Sequence, residues 1–275
     1  MIDPKVSVVI STYNRREFLE RSLDSVLNQS YRNLEVVVSD DCSEYNVEEL
    51  LVHCQKKTNI PIIYRRNSIN MGACYTRNRG IEITTGDYIV GLDDDDEFTS
   101  DRVEYLVSEY DANFSFVATN ALVVSKSGTS KMFRRKKIKI ITFKSLLWEN
   151  VAGTQVFAKK EHLLKVGGFD ESLESGQDVD LWLKLTRQFG PALRLPGCKY
   201  VMHTEHDKSR ISTSDKKLNG WNAVYEKYHM HRSFSQSRYC FLKKEYSQNK
   251  FLLFFKLFCS FDLEIYLYLC KRPWR

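Results

Sequence analysis

Short apolar runs alternate with helical periodicity through the first third of the chain, and each run stops abruptly in polar residues. Val6-Ser7-Val8-Val9-Ile10-Ser11-Thr12 is apolar and β-branched, the pattern of a buried strand. Tyr13-Asn14-Arg15-Arg16 turns the chain, and Phe18, Leu19, Leu23, Val26 and Leu27 recur at helical spacing. Leu34 to Ser39 predicts a second strand that ends in Asp40-Asp41-Cys42-Ser43. A helix over Val47 to Lys57 and a short strand over Ile60 to Tyr64 follow. Asn70-Met71-Gly72 then opens a helix reaching about Thr84. Gly86 ends it, and Tyr88 to Leu92 runs into Asp93-Asp94-Asp95-Asp96-Glu97.

The later pattern is looser. Thr99 or Ser100 is placed to cap a helix carrying Val103, Leu106 and Val107. Phe114 to Val124 reads as a strand pair, and Lys126 to Ser130 as a loop. Gly153 to Phe157 predicts a short strand before a helix, and Gly167-Gly168-Phe169-Asp170-Glu171 a turn. Ser175-Gly176-Gln177-Asp178 caps a helix with Val179, Leu181, Trp182, Leu183 and Leu185. Lys199 to Met202 is strand-like, and Trp221 to His231 helical.

Strand–helix alternation predicts an α/β fold with a mostly parallel, Rossmann-like sheet flanked by helices. Right-handed crossovers bring the ends of the first, second and fourth strands to one edge, where open α/β sheets bind ligands. Thr12 to Arg15, Asp40-Asp41 and Asp93 to Asp96 therefore converge. No Gly-x-Gly-x-x-Gly follows the first strand and no Gly-Lys-Ser/Thr occurs, which excludes the usual dinucleotide and P-loop fingerprints.

Four adjacent carboxylates repel one another, and a cation or several donors relieves that repulsion. A solvated acidic turn is the simpler alternative. The chain of 275 residues is 43% hydrophobic and carries net charge +6, enough for a large core and too mild for a nucleic-acid binder. Its basic run, Lys131 to Lys139, is either a solvated loop or a contact for diphosphate or anionic lipid. Seven scattered cysteines with no Cys-x-x-Cys argue against a disulfide framework and a structural zinc site, and favour a reducing setting. No charged n-region with an apolar h-region opens the chain, so a secretory signal is not expected.

The last sixty or so residues change character. Phe251 to Leu269 is rich in aromatics, but Lys256, Asp262 and Glu264 interrupt it. A mid-bilayer charge costs roughly 2.5–3.5 kcal/mol, so an interfacial helix flanked by Lys250, Lys271, Arg272 and Arg275 is expected in preference to a span. Docking on the protein's own core is the alternative.

These clusters, in this order, resemble the family 2 inverting glycosyltransferases of the GT-A fold, over roughly residues 5 to 212, about three quarters of the chain. The opening strand with Thr12-Tyr13-Asn14-Arg15, the Asp40-Asp41 motif, and Asn70-Met71-Gly72 with Arg77-Asn78-Arg79-Gly80 carry the donor end. Cys42 stands where the family usually has Gly. Leu92-Asp93-Asp94-Asp95-Asp96 holds the Asp-x-Asp signature. Gly167 to Glu171 and Gln177-Asp178-Val179-Asp180-Leu181-Trp182 resemble the acceptor and base motifs, with Gln177 replacing the usual Glu.

The resemblance implies a catalytic domain at residues 1–212, and the aromatic and basic pattern beyond it a helical, membrane-associating extension at 213–275. It implies that Thr12, Tyr13, Asn14, Arg15, Asn70, Gly72, Arg77 and Asp94 hold a UDP-sugar. Asp41, with Asp40, would meet the uracil N3–H, and Asp93 the ribose. Asp95, with Asp93 and a late histidine (His206, or alternatively His203), would hold Mn²⁺ or Mg²⁺. Asp178, or alternatively Asp180, would be the general base that an inverting transfer needs. Gly153, Thr154 and Trp182 would face the acceptor, although the core suits Trp182 slightly better. A glycan hydroxyl on a lipid diphosphate at the cytoplasmic face of a bacterial inner membrane is the implied acceptor, with a hexose transferred into O-antigen, capsule or lipopolysaccharide. Gln177 and Cys42 keep open a non-catalytic nucleotide-sugar-binding scaffold. A nucleotidyltransferase lacks support, because Tyr13 to Arg16 has no glycine-rich loop.

Overall fold

The computed structural model describes residues 3–134, 137–205, 214–245 and Ile265. The order begins β1 (Val6–Thr12), α1 (Arg16–Leu27), β2 (Leu34–Asp40), α2 (Val47–Gln55), β3 (Ile62–Arg66), α3 (Ala73–Ile83) and β4 (Tyr88–Asp93). It continues with β5 (Glu97–Phe98), α4 (Arg102–Ser108), β6 (Val117–Ser125), β7 (Gly128–Lys131), β8 (Lys139–Ile141) and α5 (Phe143–Leu146). After these come β9 (Val156–Lys159), α6 (Lys160–Lys165), α7 (Gln177–Phe189), β10 (Ala192–His203), α8 (Ser214–Lys227) and α9 (Phe234–Glu245).

All but β7 and β8 lie along one path of a single sheet, β3-β2-β1-β4-β9-β6-β10-β5; β7 pairs with β6 and β8 with β10. The first four strands are parallel, as expected. Register sets Thr12 opposite Asp40 and Ser11 opposite Asp93, which brings the three polar clusters to one edge. The other half is mixed. β9 runs antiparallel to both β4 and β6, and β10 is parallel to β6 but antiparallel to β5 and β8.

The apolar strand residues alternate between faces. Val8, Ile10, Val36 and Val38 pack with Leu19, Leu23 and Leu50 on one side of the sheet. Val9 and Val37 pack with Ile81, Leu181 and Leu185 on the other. Full burial of such a side chain is worth about 1.5–3 kcal/mol. The second face also takes Val224 and Tyr228, so α8 closes over α7. Contact is tight there: a Cβ on Gly220 would lie 2.3 Å from the Ser175 carbonyl oxygen.

Several local expectations change. α4 begins at Arg102 without a side-chain cap, because the Thr99 hydroxyl bonds the Asp101 carboxylate instead. Phe114 to Val124 supplies one strand, β6, and its partner β7 comes from the stretch read as a loop. Asp178 does not cap α7; Gly176, at φ 78°, takes the N-cap position. In the basic run, residues 135 and 136 lie outside the described residues. The expected interfacial segment, 250–275, also lies outside them except for Ile265, which is buried with Trp148, Tyr225 and Tyr239. Among the described residues no helix is long and apolar enough to cross a membrane.

Candidate active site

The acidic run leaves β4 and turns at once, and its four carboxylates separate by partner. Asp93 Oδ1 accepts from Arg77 Nη2 at 2.8 Å and from Gln155 Nε2 at 3.0 Å. Its Oδ2 has no hydrogen-bond partner among the described residues. Asp94 turns inward, accepting from the Thr12 hydroxyl at 2.8 Å and from Arg15 Nη1 at 3.1 Å. The same Arg15 nitrogen lies 3.3 Å from Asp95 Oδ2, and Arg21 holds the Asp95 carbonyl. Asp96 is buried and accepts from the Tyr200 hydroxyl at 2.8 Å and the His203 amide at 2.9 Å.

Burial raises the Asp94 carboxyl to about 6, against the pull of Arg15. Burial, with Asp93 and Asp95 nearby, raises Asp96 to about 8. Carboxylates packed this closely cannot all ionise without a counter-charge.

At the neighbouring strand end, Asp40 and Asp41 do different jobs. Asp40 is fully buried and accepts from the Ser43 amide and the Tyr64 hydroxyl, so it shapes the turn. Asp41 receives Asn67 Nδ2 and the Met71 and Gly72 amides at 2.7–2.8 Å, which fixes the Asn70-Met71-Gly72 loop. Three donors leave one acceptor position on Oδ2. Cys42 takes the left-handed conformation at φ 69°, and Asn14 does the same at φ 54°. Asn14 is tied to Ser43 and Glu44, whereas Tyr13 and Asn70 are exposed.

The third strand end meets the start of α7. Asn78 makes paired bonds to the Phe169 amide and carbonyl, clamping the Gly168-Phe169 turn onto α3. Arg77 lies over the Phe169 ring. Burial alone would depress this guanidinium, but Asp93 and Asp178 outweigh it and hold it charged. Its Nη1 is buried without a hydrogen-bond partner among the described residues. Burial pushes the Asp178 carboxyl up to about 7, with Arg77 opposing and Asp93 reinforcing the shift. Asp180 is fully buried, accepts from the Tyr228 hydroxyl, and is paired with Lys184 and Lys227. It is a structural anchor for α8, not the alternative base.

Two further expectations are corrected. His203 faces Glu97 through Nε2 at 2.6 Å and Glu205 through Nδ1 at 2.7 Å, so both ring nitrogens are engaged by these carboxylates and neither is directed at Asp93 or Asp95. Trp182 is 2% exposed, packs on Phe116 and donates to the Gly153 carbonyl, so it presents no ring face to an acceptor. His206 lies outside the described residues. Gly153 and Thr154 remain beside the site through Gln155.

The residues missed in the sequence are Gln155, Tyr200, Asn67 and Arg21. Their one sequence signal is a polar residue set in or beside an apolar run, as in Gln155-Val156-Phe157.

No group of three metal-ligating side chains converges among the described residues. Mg²⁺ typically takes one or two carboxylates with phosphates and water; Asp93, whose Oδ2 is unpartnered among the described residues, and Asp95 could supply such a pair.

A model of "Glycosyl transferase family 2" matches residues 7–163. The "Putative colanic acid biosynthesis glycosyl transferase WcaA" of Escherichia coli is 30% identical over 82% of this chain and 82% of its own length. The "GalNAc(5)-diNAcBac-PP-undecaprenol beta-1,3-glucosyltransferase" of Campylobacter jejuni is 29% identical over 67% of this chain, which spans 60% of that relative. Among solved structures, S. aureus TarS 1–349 with UDP-GlcNAc matches at TM-score 0.70, with 17% identity over 94% of this chain and 77% of that one. The Pyrobaculum calidifontis mannosyltransferase PcManGT, with GDP-Man and Mn²⁺, matches at 0.68, with 16% identity over 98% and 79%. Both support the GT-A fold.

Proposed function

The chain belongs to glycosyl transferase family 2, and on that premise we propose that it transfers a hexose from a UDP-sugar to a glycan hydroxyl, with inversion. The observation that carries this reading is Asp178. Its carboxyl, raised to about 7 beside Arg77 and Asp93, suits a general base working near neutral pH.

Asp178 takes the proton of the acceptor hydroxyl as that oxygen bonds to C1 of the donor sugar. The C1–O bond to the diphosphate breaks with its electron pair leaving on UDP. Asp41 offers its remaining acceptor position to the uracil N3–H, and Asp93 meets the ribose. Asp95 with Asp93 would hold a divalent cation, Mn²⁺ or Mg²⁺, which when bound would supply Lewis-acid charge for the leaving diphosphate. Arg15 keeps Asp95 beside Asp94 and orients the loop.

The Escherichia coli relative is named for colanic acid synthesis and the Campylobacter one for an undecaprenol diphosphate acceptor. These names support a lipid-linked glycan acceptor and surface-polysaccharide assembly at the inner face of a membrane. Met230, Phe234 and Phe241 support peripheral attachment, being 80%, 79% and 61% exposed around α9 with Arg238 exposed between the two phenylalanines. Residues 1–212 then form the transferase domain, and 213–275 an extension docked through α8 that presents this face.

UDP release with manganese, with UDP-hexoses and GDP-mannose in parallel and a lipid-diphosphate glycan as acceptor, tests the reading. Asp178→Asn and Asp95→Ala are each expected to lower turnover at least about 100-fold; unchanged rates in both would defeat the catalytic assignment. Sedimentation with anionic vesicles tests attachment, which Phe234→Glu with Phe241→Glu is expected to weaken.

A further inference from the structure

Gln155 stands at the head of β9 and is 7% exposed. Its amide nitrogen donates to Asp93 Oδ1, the oxygen that Arg77 also binds. Its amide oxygen fills the space above Gly91, where an added Cβ would lie 1.9 Å from it. The side chain is therefore trapped between β4 and β9 with its donor aimed at one oxygen of one aspartate. Two donors on Oδ1 fix the rotation of the Asp93 carboxylate and leave Oδ2 for a ligand. The loop that carries Gln155 is held at its other end by α7: Trp182 Nε1 donates to the Gly153 carbonyl at 3.2 Å. Two hydrogen bonds thus connect the helix bearing Asp178 to the carboxylate at the end of β4.

We propose that Gln155 is a positioning residue that sets the orientation of Asp93 toward the nucleotide and its cation, and that Gly91 is glycine to admit it. The inference rests on the donor-site reading above. Partners that orient a metal-ligating carboxylate typically change affinity by 10- to 100-fold when removed. Among the described residues the Gln155 amide hydrogen-bonds Asp93 and no other group, so its effect on binding should vanish once that carboxylate is gone.

Calorimetric binding of UDP in the presence of Mn²⁺ provides the test, without recourse to turnover. Gln155→Leu, which keeps bulk but no donor, is expected to raise Kd at least about tenfold. Gln155→Glu, which keeps the shape but places an acceptor against Asp93, is expected to do so at least as strongly. In an Asp93→Ala background, Gln155→Leu is expected to add nothing. Circular dichroism melting guards against misfolding, and Gly91→Ala supplies a second route, since displacing the Gln155 side chain should give the same Kd. An unchanged Kd for Gln155→Leu, or a full effect persisting in Asp93→Ala, overturns the proposal while leaving the donor site standing. Wild-type protein that binds neither UDP nor Mn²⁺ overturns the donor-site reading and this proposal with it.

Discussion

Asp178 and Asp180 lie two residues apart on α7 and therefore on nearly opposite sides of that helix. Asp178 turns toward Arg77 and Asp93, while Asp180 is sealed behind Tyr228, Lys184 and Lys227. The two substitutions should separate accordingly. Asp178→Asn is expected to cost about 10²–10⁴-fold in kcat, and to hold or raise Tm near neutral pH, because it removes a buried carboxyl whose ionisation opposes folding. Asp180→Asn weakens the pairing of Lys227 and Lys184, which keep Asp170 and the Gly168 carbonyl as partners, a loss on the order of 1–3 kcal/mol. It should lower Tm while the folded fraction keeps its activity. Steady-state kinetics and thermal melts on the two variants check this.

The raised Asp178 carboxyl predicts a specific pH limb. A base with a folded-state value of about 7 is protonated and idle below it. Turnover should therefore fall tenfold per unit as pH drops below about 7, and level off above it. Asp178→Asn should abolish that limb. A wild-type profile flat from pH 5 to 8 would assign the proton transfer elsewhere.

Cys42 occupies a left-handed position that an L side chain adopts at a cost of roughly 1–2 kcal/mol. Glycine removes that cost but gains about 0.4–1 kcal/mol of unfolded-state entropy. Cys42→Gly should thus stabilise the protein by about 0.5–1 kcal/mol, read from denaturant midpoints, and leave turnover unchanged. A loss of stability would mean that the weak Cys42 Sγ contact to the Ser68 carbonyl outweighs the backbone strain.

The convergence of the three polar clusters was legible because each follows directly on an apolar run. Thr12, Asp40 and Asp93 end β1, β2 and β4, and parallel register aligns them without further information. The separation of roles within a cluster was not legible. Asp40 and Asp41 are adjacent and alike in sequence, and only Tyr64, Asn67 and the Met71 amide distinguish them. The same holds for Asp94 and Asp96, one turned to Thr12 and the other to Tyr200. Gln155 and Tyr200 meet the acidic run from 62 and 104 residues away, through strands that reverse direction. No local pattern encodes such pairings. Trp182 gave only a slight lean to the core, where it lies, because a tryptophan on a helix suits both a core and a sugar platform.

The crowded acidic run couples stability to pH and to cation. Asp94 at about 6, Asp178 at about 7 and Asp96 at about 8 all stand above the ordinary aspartate value of about 3.9. The folded chain thus holds protons that the unfolded chain releases. Through these groups, stability is fully present below about pH 4 and is lost as pH rises through 6, 7 and 8. A bound cation neutralises the ionised carboxylates and should return part of that loss. The rise in Tm on adding Mn²⁺ with UDP is therefore expected to be larger at pH 8 than at pH 6, and to disappear in Asp95→Ala. Equal shifts at both pH values would mean that the cation gains nothing from the ionised run and binds away from these aspartates.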